Sequence, residues 1–208
     1  MLLLSLAEFR DPETGEHLER MREYAKTIAH ELKQTDKYKD YITERYIDNI
    51  TKSTPLHDIG KVGIPDEILL KPGILTAEEF EIMKRHSEIG GDAISSAIKL
   101  TGMKRSFLDM GKEIAYHHHE KWDGSGYPKG LKNEEIPITA RITALADVYD
   151  ALTTKRVYKS AFSHEKSRDI IVEGAGSAFD PDIVEAFLRR EKEFIKIKEK
   201  YKDTNGSG

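Results

Sequence analysis

The sequence predicts an all-α domain, and three observations support this prediction. Apolar residues recur at helical spacing along most of the 208 residues, as in the stripe formed by Leu18, Met21, Ala25, Ile28 and Leu32. No stretch of four or more residues alternates between apolar and polar clearly enough to predict a strand. Helix-capping signals precede several of the periodic segments. A chain of this length forms one domain, or one domain with a short appendage, because domains hold roughly 100–200 residues.

About seven to nine helices are predicted, interrupted by one long loop. They lie near residues 1–9, 12–34, 39–56, 76–85, 87–101, 106–119, 138–153, 163–175 and 180–201. Their start signals are aspartate–proline pairs at 11–12 and 180–181 and a capping box of Thr76 with Glu79. The loop at 121–137 holds three glycines and two prolines. Loops longer than about 12–15 residues inside compact domains are usually functional or disordered.

The composition restricts the chemistry that this protein can perform. It has 33 Lys and Arg, 37 Asp and Glu, 8 His and no Cys, and its net charge is −4. The absence of cysteine excludes disulfides, thiolate zinc sites, iron–sulfur clusters and cysteine nucleophiles, so imidazole and oxygen must hold any metal ion. The negative charge argues against DNA or RNA as a partner. The apolar start at 1–6 is too short for membrane insertion and lacks the basic flank of a secretory signal, so we expect a cytoplasmic protein.

An adjacent histidine and aspartate form the first candidate metal site. His57 and Asp58 are followed by Gly60, Lys61 and Gly63. Neighbouring helix positions point about 100° apart, so both side chains can bind one ion only at a helix end or a kinked turn, which the glycines favour. Imidazole and carboxylate together suit a divalent metal. Alone, such a pair is equally well a local hydrogen-bonded contact.

A second pair lies upstream, and more histidines lie downstream. Glu13 and His17 are four residues apart and share one helix face, which suits metal binding, although a first-turn acid and a surface histidine would look the same. Downstream come His86 and then three consecutive histidines. Because consecutive helix residues cannot all face one way, we assign only the last two, His118 and His119, to metals.

Asp147 is the remaining ligand candidate. It lies among small and apolar residues of a predicted core helix, where an unpaired carboxylate is costly. We interpret it as a metal ligand, while a hydrogen bond to a backbone amide or to Arg141 stays an alternative. No metal is assigned to His30, His117 or His164.

Together these motifs resemble the signature of the HD-GYP family, the metal-dependent cyclic-dinucleotide phosphodiesterases of the HD hydrolase superfamily. The resemblance is carried by His57-Asp58-Ile59-Gly60-Lys61, His86, His118-His119-Glu120, Trp122-Asp123-Gly124-Ser125-Gly126-Tyr127-Pro128 and Asp147. It covers nearly the whole chain and implies an HD-type helical bundle with a long GYP loop beside the active site. Lys121 and Val157 depart from the family pattern, and neither is a predicted ligand.

The resemblance implies a set of site residues. The implied metal ligands are Glu13, His17, His57, Asp58, His86, His118, His119 and Asp147, of which Glu13 distinguishes trinuclear from dinuclear members. Asp58 and Lys61 are implied as catalytic residues. Substrate binding is implied for Lys61, Arg156, Lys159 and the loop residues Gly126, Tyr127 and Pro128. The implied cofactors are two or three divalent metal ions, with iron or manganese favoured.

The implied activity is hydrolysis of cyclic di-GMP to pGpG, GMP or both. Our hypothesis is in-line attack on phosphorus by a hydroxide that bridges two metal ions, with Asp58 bridging the ions and Lys61 steadying the hydroxide or a phosphoryl oxygen. Two alternatives stay open. One is hydrolysis of another substrate, cyclic GMP-AMP or a nucleotide, and the other is a cyclic-dinucleotide receptor with low turnover.

The domain is predicted to span residues 1–202, followed by a flexible tail at 203–208 that derives from cloning. Family members usually carry a sensor or receiver domain ahead of this one, and the leucine-rich start agrees with its removal. A homodimer formed through the first helix is a further hypothesis. We expect a role in bacterial second-messenger signalling.

Overall fold

The computed structural model describes residues 15–101, 107–155 and 160–202. Within these ranges the chain is helical, and its β-type pairing is limited to an isolated bridge between Ala175 and Phe179. The all-α prediction is confirmed. No helix in these ranges is both long and apolar enough to cross a bilayer. The helix predicted near 1–9, the cap at 11–12 and the tail at 203–208 lie outside the described residues.

Ten α-helices follow one another in the described part of the chain. They are α1 (Gly15–Leu32), α2 (Glu44–Ser53), α3 (Asp66–Leu69), α4 (Ala77–Lys84), α5 (His86–Thr101), α6 (Phe107–His117), α7 (Ile138–Thr153), α8 (His164–Glu173), α9 (Pro181–Arg189) and α10 (Glu191–Lys200). Three 3-10 helices lie between them, at Thr54–Leu56, Ile59–Gly63 and Asn133–Glu135. The predicted caps at Thr76 and Asp180 are both present.

Helix α1 lies at the centre of the bundle. Four residues of its predicted apolar stripe, Met21, Ala25, Ile28 and Leu32, are buried. The helix packs against α2, α7, α9 and α10. Burial of each large apolar side chain contributes roughly 1.5–3 kcal/mol, so the stripe anchors α1 in the core. His17 is buried on the same helix and is thereby held in a rigid position.

Four buried aromatic rings join α1 to the C-terminal half of the chain. Tyr24 stacks on Phe194 with ring centroids 4.5 Å apart, and its other neighbour Tyr149 lies edge-on at 5.3 Å. Phe187 contacts both Tyr149 and Phe194. Aromatic pairs in these geometries add to the free energy of area burial. The cluster therefore fixes α7, which carries Asp147, against α1.

The helix predicted at 39–56 is shorter than expected. It begins at Glu44, with Thr43 as N-cap accepting a hydrogen bond from Tyr46 N, and it ends at Ser53. The following 3-10 turn contains Pro55, which has no backbone N–H and cannot continue an α-helix. This change of helix type turns the chain just before the predicted His-Asp pair.

The helix predicted at 180–201 is wrong as a single element. It divides into α9 and α10 at Arg190, whose φ and ψ are −117° and 14°. The break lets Phe194 turn into the core, while Arg190 Nε donates to Glu31 Oε2 at 2.6 Å. Helix α3 was not predicted. The predicted loop at 121–137 is irregular apart from one short 3-10 turn.

Candidate metal centre

Seven of the predicted metal ligands converge from five parts of the chain. They come from α1, the turn before the second 3-10 helix, the first residue of α5, the end of α6 and the middle of α7. Two groups form, Asp58 with His86, His118 and His119, and His17 with His57 and Asp147. Within each group the candidate ligand atoms lie within 4.8 Å of one another.

Four of the histidines are oriented by a hydrogen bond at Nδ1. The acceptors are Asp150 Oδ2 for His17 (2.8 Å), Thr54 O for His57 (3.0 Å), Met83 O for His86 (2.8 Å) and Ile114 O for His118 (3.0 Å). Carbonyl and carboxylate oxygens only accept, so Nδ1 donates and Nε2 carries the lone pair. Histidine ligands of metals usually show this arrangement.

The Nε2 atoms point toward one another and toward Asp58. His86 Nε2 lies 3.4 Å from His118 Nε2 and 3.2 Å from Asp58 Oδ1. His57 Nε2 lies 3.3 Å from Asp58 Oδ2. Since the lone pairs and the carboxylate face a common space, a cation placed there would be attracted by all of them. The donor set of imidazole and carboxylate therefore fits the divalent ions that the resemblance implies.

Asp58 lies where the two groups meet. Lys61 Nζ is 2.7 Å from Asp58 Oδ2, one helical turn further along the chain. Burial would raise the pKa of the Asp58 carboxyl, but Lys61 and His57 more than offset this and hold the pKa well below its ordinary value. Asp58 is thus ionised at neutral pH, as a metal ligand requires.

Burial keeps the two histidines that follow α6 neutral. It lowers the pKa of His118, although Asp58 acts in the opposite direction. It lowers the pKa of His119 further, and the neighbouring His118 and His86 add to the effect. Neutral imidazole is the form that binds metal, so both side chains are ready to act as ligands.

A buried ion pair behind His17 was missed by the sequence reasoning. Arg20 donates from Nε to Asp150 Oδ1 at 2.6 Å and from Nη2 to Oδ2 at 3.0 Å, and Oδ2 also accepts from His17 Nδ1. Burial raises the pKa of Asp150, while His17 and Arg20 lower it to a net value below the ordinary one. A carboxylate in this position fixes the histidine ring and strengthens its basicity. The sequence feature that could have indicated this carboxylate is the position of Asp150, three residues after Asp147 in the same helix.

Glu120 holds the loop that carries Gly126-Tyr127-Pro128. Its carboxylate is buried and accepts hydrogen bonds from Lys129 N at 2.7 Å and Leu131 N at 3.1 Å. Hydrogen bonds from backbone N–H groups to a carboxylate are stronger than neutral ones. The residue that directly follows the histidine run therefore fastens the loop beside the metal centre.

The loop also contacts His119 directly. Tyr127 N donates to His119 O at 3.2 Å, and the two rings stack with centroids 4.8 Å apart. A Cβ atom on Gly126 would lie 2.3 Å from Lys121 N, so this close approach requires glycine. The predicted position of the loop beside the site agrees with this geometry.

Three predicted site residues, Glu13, Arg156 and Lys159, lie outside the described residues, so their roles stay predictions. The alternative partner considered for Asp147 is engaged elsewhere, since Arg141 Nη1 pairs with Asp180 Oδ2 at 2.6 Å. The three histidines assigned no metal, His30, His117 and His164, belong to neither ligand group in the described part of the chain.

Comparison with known proteins identifies the family to which this chain belongs. A model described as HD domain matches residues 2–183, which is most of the chain. The chain belongs to the HD domain family. Its resemblance to HD-GYP proteins, predicted from the motifs, is confirmed by relatives and structures. A cluster of histidines and aspartates able to hold divalent metal ions agrees with this membership.

Three relatives of this HD domain have names that state an activity. A Vibrio cholerae protein named "Probable cyclic di-GMP phosphodiesterase" is 55% identical over 97% of this chain and 46% of its own length. A Thermotoga maritima protein named "Cyclic di-GMP phosphodiesterase" is 45% identical over 100% of this chain and 53% of its own. A V. cholerae "3'3'-cGAMP-specific phosphodiesterase 2" is 43% identical over 94% of this chain and 35% of its own. The chain thus spans about half the length or less of these relatives.

Two solved structures share the fold of this HD domain. A cyclic GMP-AMP specific phosphodiesterase of V. cholerae matches 98% of this chain and 51% of its own with a TM-score of 0.63 at 19% identity. An HDG"Y"P protein of Bdellovibrio bacteriovorus matches 86% of this chain and 54% of its own with a TM-score of 0.57 at 17% identity. The predicted HD-type helical bundle is confirmed.

Proposed function

We propose that this HD domain hydrolyses cyclic di-GMP to pGpG, GMP or both, with the aid of bound divalent metal ions. The observation that carries the proposal is the convergence of two ligand groups. His57 and Asp58 are consecutive, yet each belongs to a different group, so the two sites are neighbours. Neighbouring metal sites suit hydrolysis of phosphate esters. The names of the V. cholerae and T. maritima cyclic di-GMP relatives support this choice of substrate.

The charge of the site explains why metal ions are needed. Cyclic di-GMP is a dianion, and the chain has a net charge of −4. Bound divalent ions supply an activated water and neutralise charge on phosphoryl oxygens. The carboxylates of Asp58 and Asp147 and the neutral imidazoles hold these cations. We further propose iron or manganese as the metal, with Glu13 completing a third site.

We propose that Lys61 contacts the scissile phosphate. Its ammonium lies beside Asp58, and the side chain is partly exposed. A positioned ammonium stabilises the charge that develops on phosphoryl oxygens during attack. Burial, together with Asp58 and Asp147, raises the pKa of the Tyr127 hydroxyl, which therefore stays protonated and can donate to a substrate oxygen. Arg156 and Lys159 are proposed to bind the substrate phosphates.

Substitution of the His-Asp pair tests the proposal. The double variant His57→Ala with Asp58→Ala should lose hydrolysis of cyclic di-GMP by at least about a thousandfold, because both ligand groups lose a member. Metal content should fall, and the helical circular dichroism should persist. Retained turnover in this variant would contradict the proposal.

Cyclic GMP-AMP is a second candidate substrate, since the 43%-identical V. cholerae relative is named as specific for it. Initial rates on cyclic di-GMP, cyclic GMP-AMP and mononucleotides, measured with metal-loaded protein under anaerobic reducing conditions, distinguish these substrates. Faster turnover of cyclic GMP-AMP would replace the proposed substrate. Tight binding of either dinucleotide without turnover would favour the receptor alternative.

A further inference from the structure

Helix α4 carries an aromatic side chain that the fold does not bury. None of the eight described residues of this helix is fully buried. Phe80 is nevertheless present in the middle of the helix, and it is 46% exposed. A single half-exposed apolar side chain is normal on a protein surface, so the case for a role of Phe80 rests on the groups that surround its ring.

Phe80 lies next to Tyr127, the loop tyrosine that contacts the metal centre through His119. The Phe80 and Tyr127 rings are nearly perpendicular, at 85°, with centroids 6.2 Å apart. Tyr127 in turn stacks on His119, a predicted ligand. The Phe80 ring therefore contacts Tyr127, and Tyr127 contacts His119 at the edge of the metal centre.

Lys84 adds a positive charge to the corner formed by the Phe80 and Tyr127 rings. Lys84 Nζ lies 5.7 Å from the centroid of Phe80 and 5.6 Å from that of Tyr127, within the range of cation–π contact. Glu81 also pairs with this ammonium and offsets part of its charge. The contact that this corner can offer a ligand therefore depends on the ring of Phe80 and not on Lys84.

We propose that Phe80 is a stacking surface for a nucleobase of the substrate, beside the metal centre. The inference rests on the proposed function, because it takes a nucleotide phosphodiester as substrate. Aromatic side chains beside phosphate-binding groups commonly stack nucleobases, and every base offers a π-face. A base parallel to Phe80 would meet Tyr127 edge to face, and both arrangements are favourable. The subsite therefore serves guanine and adenine alike and increases affinity without choosing between them.

The test replaces the ring and leaves the apolar volume in place. Phe80→Leu removes the π-face, whereas Phe80→Trp keeps an aromatic face at this position. Because α4 has no fully buried side chain among its described residues, both variants should fold. Tyr41→Ala is the matched control, since Tyr41 is an aromatic residue 61% exposed outside the metal centre. Circular dichroism and metal content are measured for every variant.

Phe80→Leu should raise KM for cyclic di-GMP about tenfold with kcat nearly unchanged, because the lost contact is the same in ground and transition states. Calorimetric titration should show GMP binding weakened about tenfold while ribose 5-phosphate, which lacks a base, binds as in the wild type. Phe80→Trp should keep the KM for cyclic di-GMP and the affinity for GMP near the wild-type values. Tyr41→Ala should leave both quantities unchanged.

Three results would overturn the inference. The first is an unchanged KM in Phe80→Leu, and the second is a loss of kcat alone. The third is equal weakening of GMP and ribose 5-phosphate, which would indicate a structural effect on the metal centre. If wild-type protein turns over cyclic di-GMP and any of these results is found, only the inference fails. If wild-type protein neither binds nor hydrolyses a cyclic dinucleotide, the proposed function fails as well.

Discussion

Hydrogen bonds at Nδ1 direct four of the five histidines of the metal centre. Backbone carbonyls serve as acceptors for His57, His86 and His118. For His17 the acceptor is the carboxylate of Asp150. A backbone acceptor survives a change of its side chain, whereas a carboxylate acceptor does not. Among these four histidines, His17 is therefore the one whose Nδ1 acceptor a single substitution can remove.

Asp150→Asn should weaken metal binding at the group that contains His17. The amide keeps one accepting oxygen and puts an NH₂ donor in place of the other, so at least one of the three N–H groups that bind Asp150 loses its acceptor, and the charge that strengthens the imidazole is lost. Loss of such an outer carboxylate typically costs 10–100-fold in metal affinity. Metal titration followed by calorimetry measures the effect.

Asp48→Asn provides the control for this substitution. Asp48 is an exposed aspartate of α2 that pairs with Lys52 at 2.7 Å. Exposed ion pairs contribute about 0–1 kcal/mol, so this variant should bind metal as the wild type does. Equal metal affinity in Asp150→Asn and Asp48→Asn would show that Asp150 does not support His17.

Glu120→Gln should loosen the loop that carries Tyr127. The amide has one accepting oxygen, so one of the two N–H groups at Lys129 and Leu131 loses its partner, at a cost of about 1–3 kcal/mol. Hydrogen exchange at both amides should accelerate, and kcat should fall with the loss of loop order. Glu88→Gln is a control, because Glu88 is an acid that pairs with the exposed Lys129 ammonium at 3.2 Å. Unchanged exchange in Glu120→Gln would exclude this positioning role.

At the scale of elements, close contact between backbones determines where the ligands meet. The second 3-10 helix approaches the start of α5 through Gly60 and Gly90. Periodicity predicted these segments well, because helical spacing of apolar residues is a local property. It did not predict the break at Arg190, because that break follows from packing of Phe194 on Tyr24.

Gly60→Ala should displace α5 and with it His86. A Cβ atom on Gly60 would lie 1.9 Å from His86 O and 2.4 Å from Gly90 N, so the backbones must separate. Overpacking of this kind costs about 1–3 kcal/mol. The unfolding temperature and the metal content should both decrease. Gly15→Ala is the control, because no atom of the described residues lies within 4 Å of its added Cβ. Wild-type stability and metal content in Gly60→Ala would contradict the described contact.

At the scale of the molecule, the metal centre connects segments that are distant in the sequence. His17 belongs to the first described helix, and Asp147 belongs to α7, more than half the chain away. Metal binding therefore requires the folded bundle, and bound ions in turn stabilise it.

Removal of metal should lower the unfolding temperature. Ions that bind only the folded state at about 100 times their Kd add about 2.7 kcal/mol, which corresponds to roughly 5–10 °C for a domain of this size. Scanning calorimetry with and without a chelator measures the shift. The variant with His57→Ala and Asp58→Ala should show no chelator-dependent shift. An identical unfolding temperature for wild-type protein in both conditions would argue against structural coupling to metal.

The sequence by itself determined the fold class and the residue types of the site. Helical periodicity and capping are local properties of the sequence, and the His-Asp and His-His-Glu motifs indicate metal binding through their residue types. Only the tertiary structure decided which nitrogen of His17, His57, His86 and His118 faces the ligand groups. It also decided that Asp150 with Arg20 supports His17 and that Phe80 borders Tyr127. These features join residues far apart in the chain, and their contacts exist only after the helices have packed.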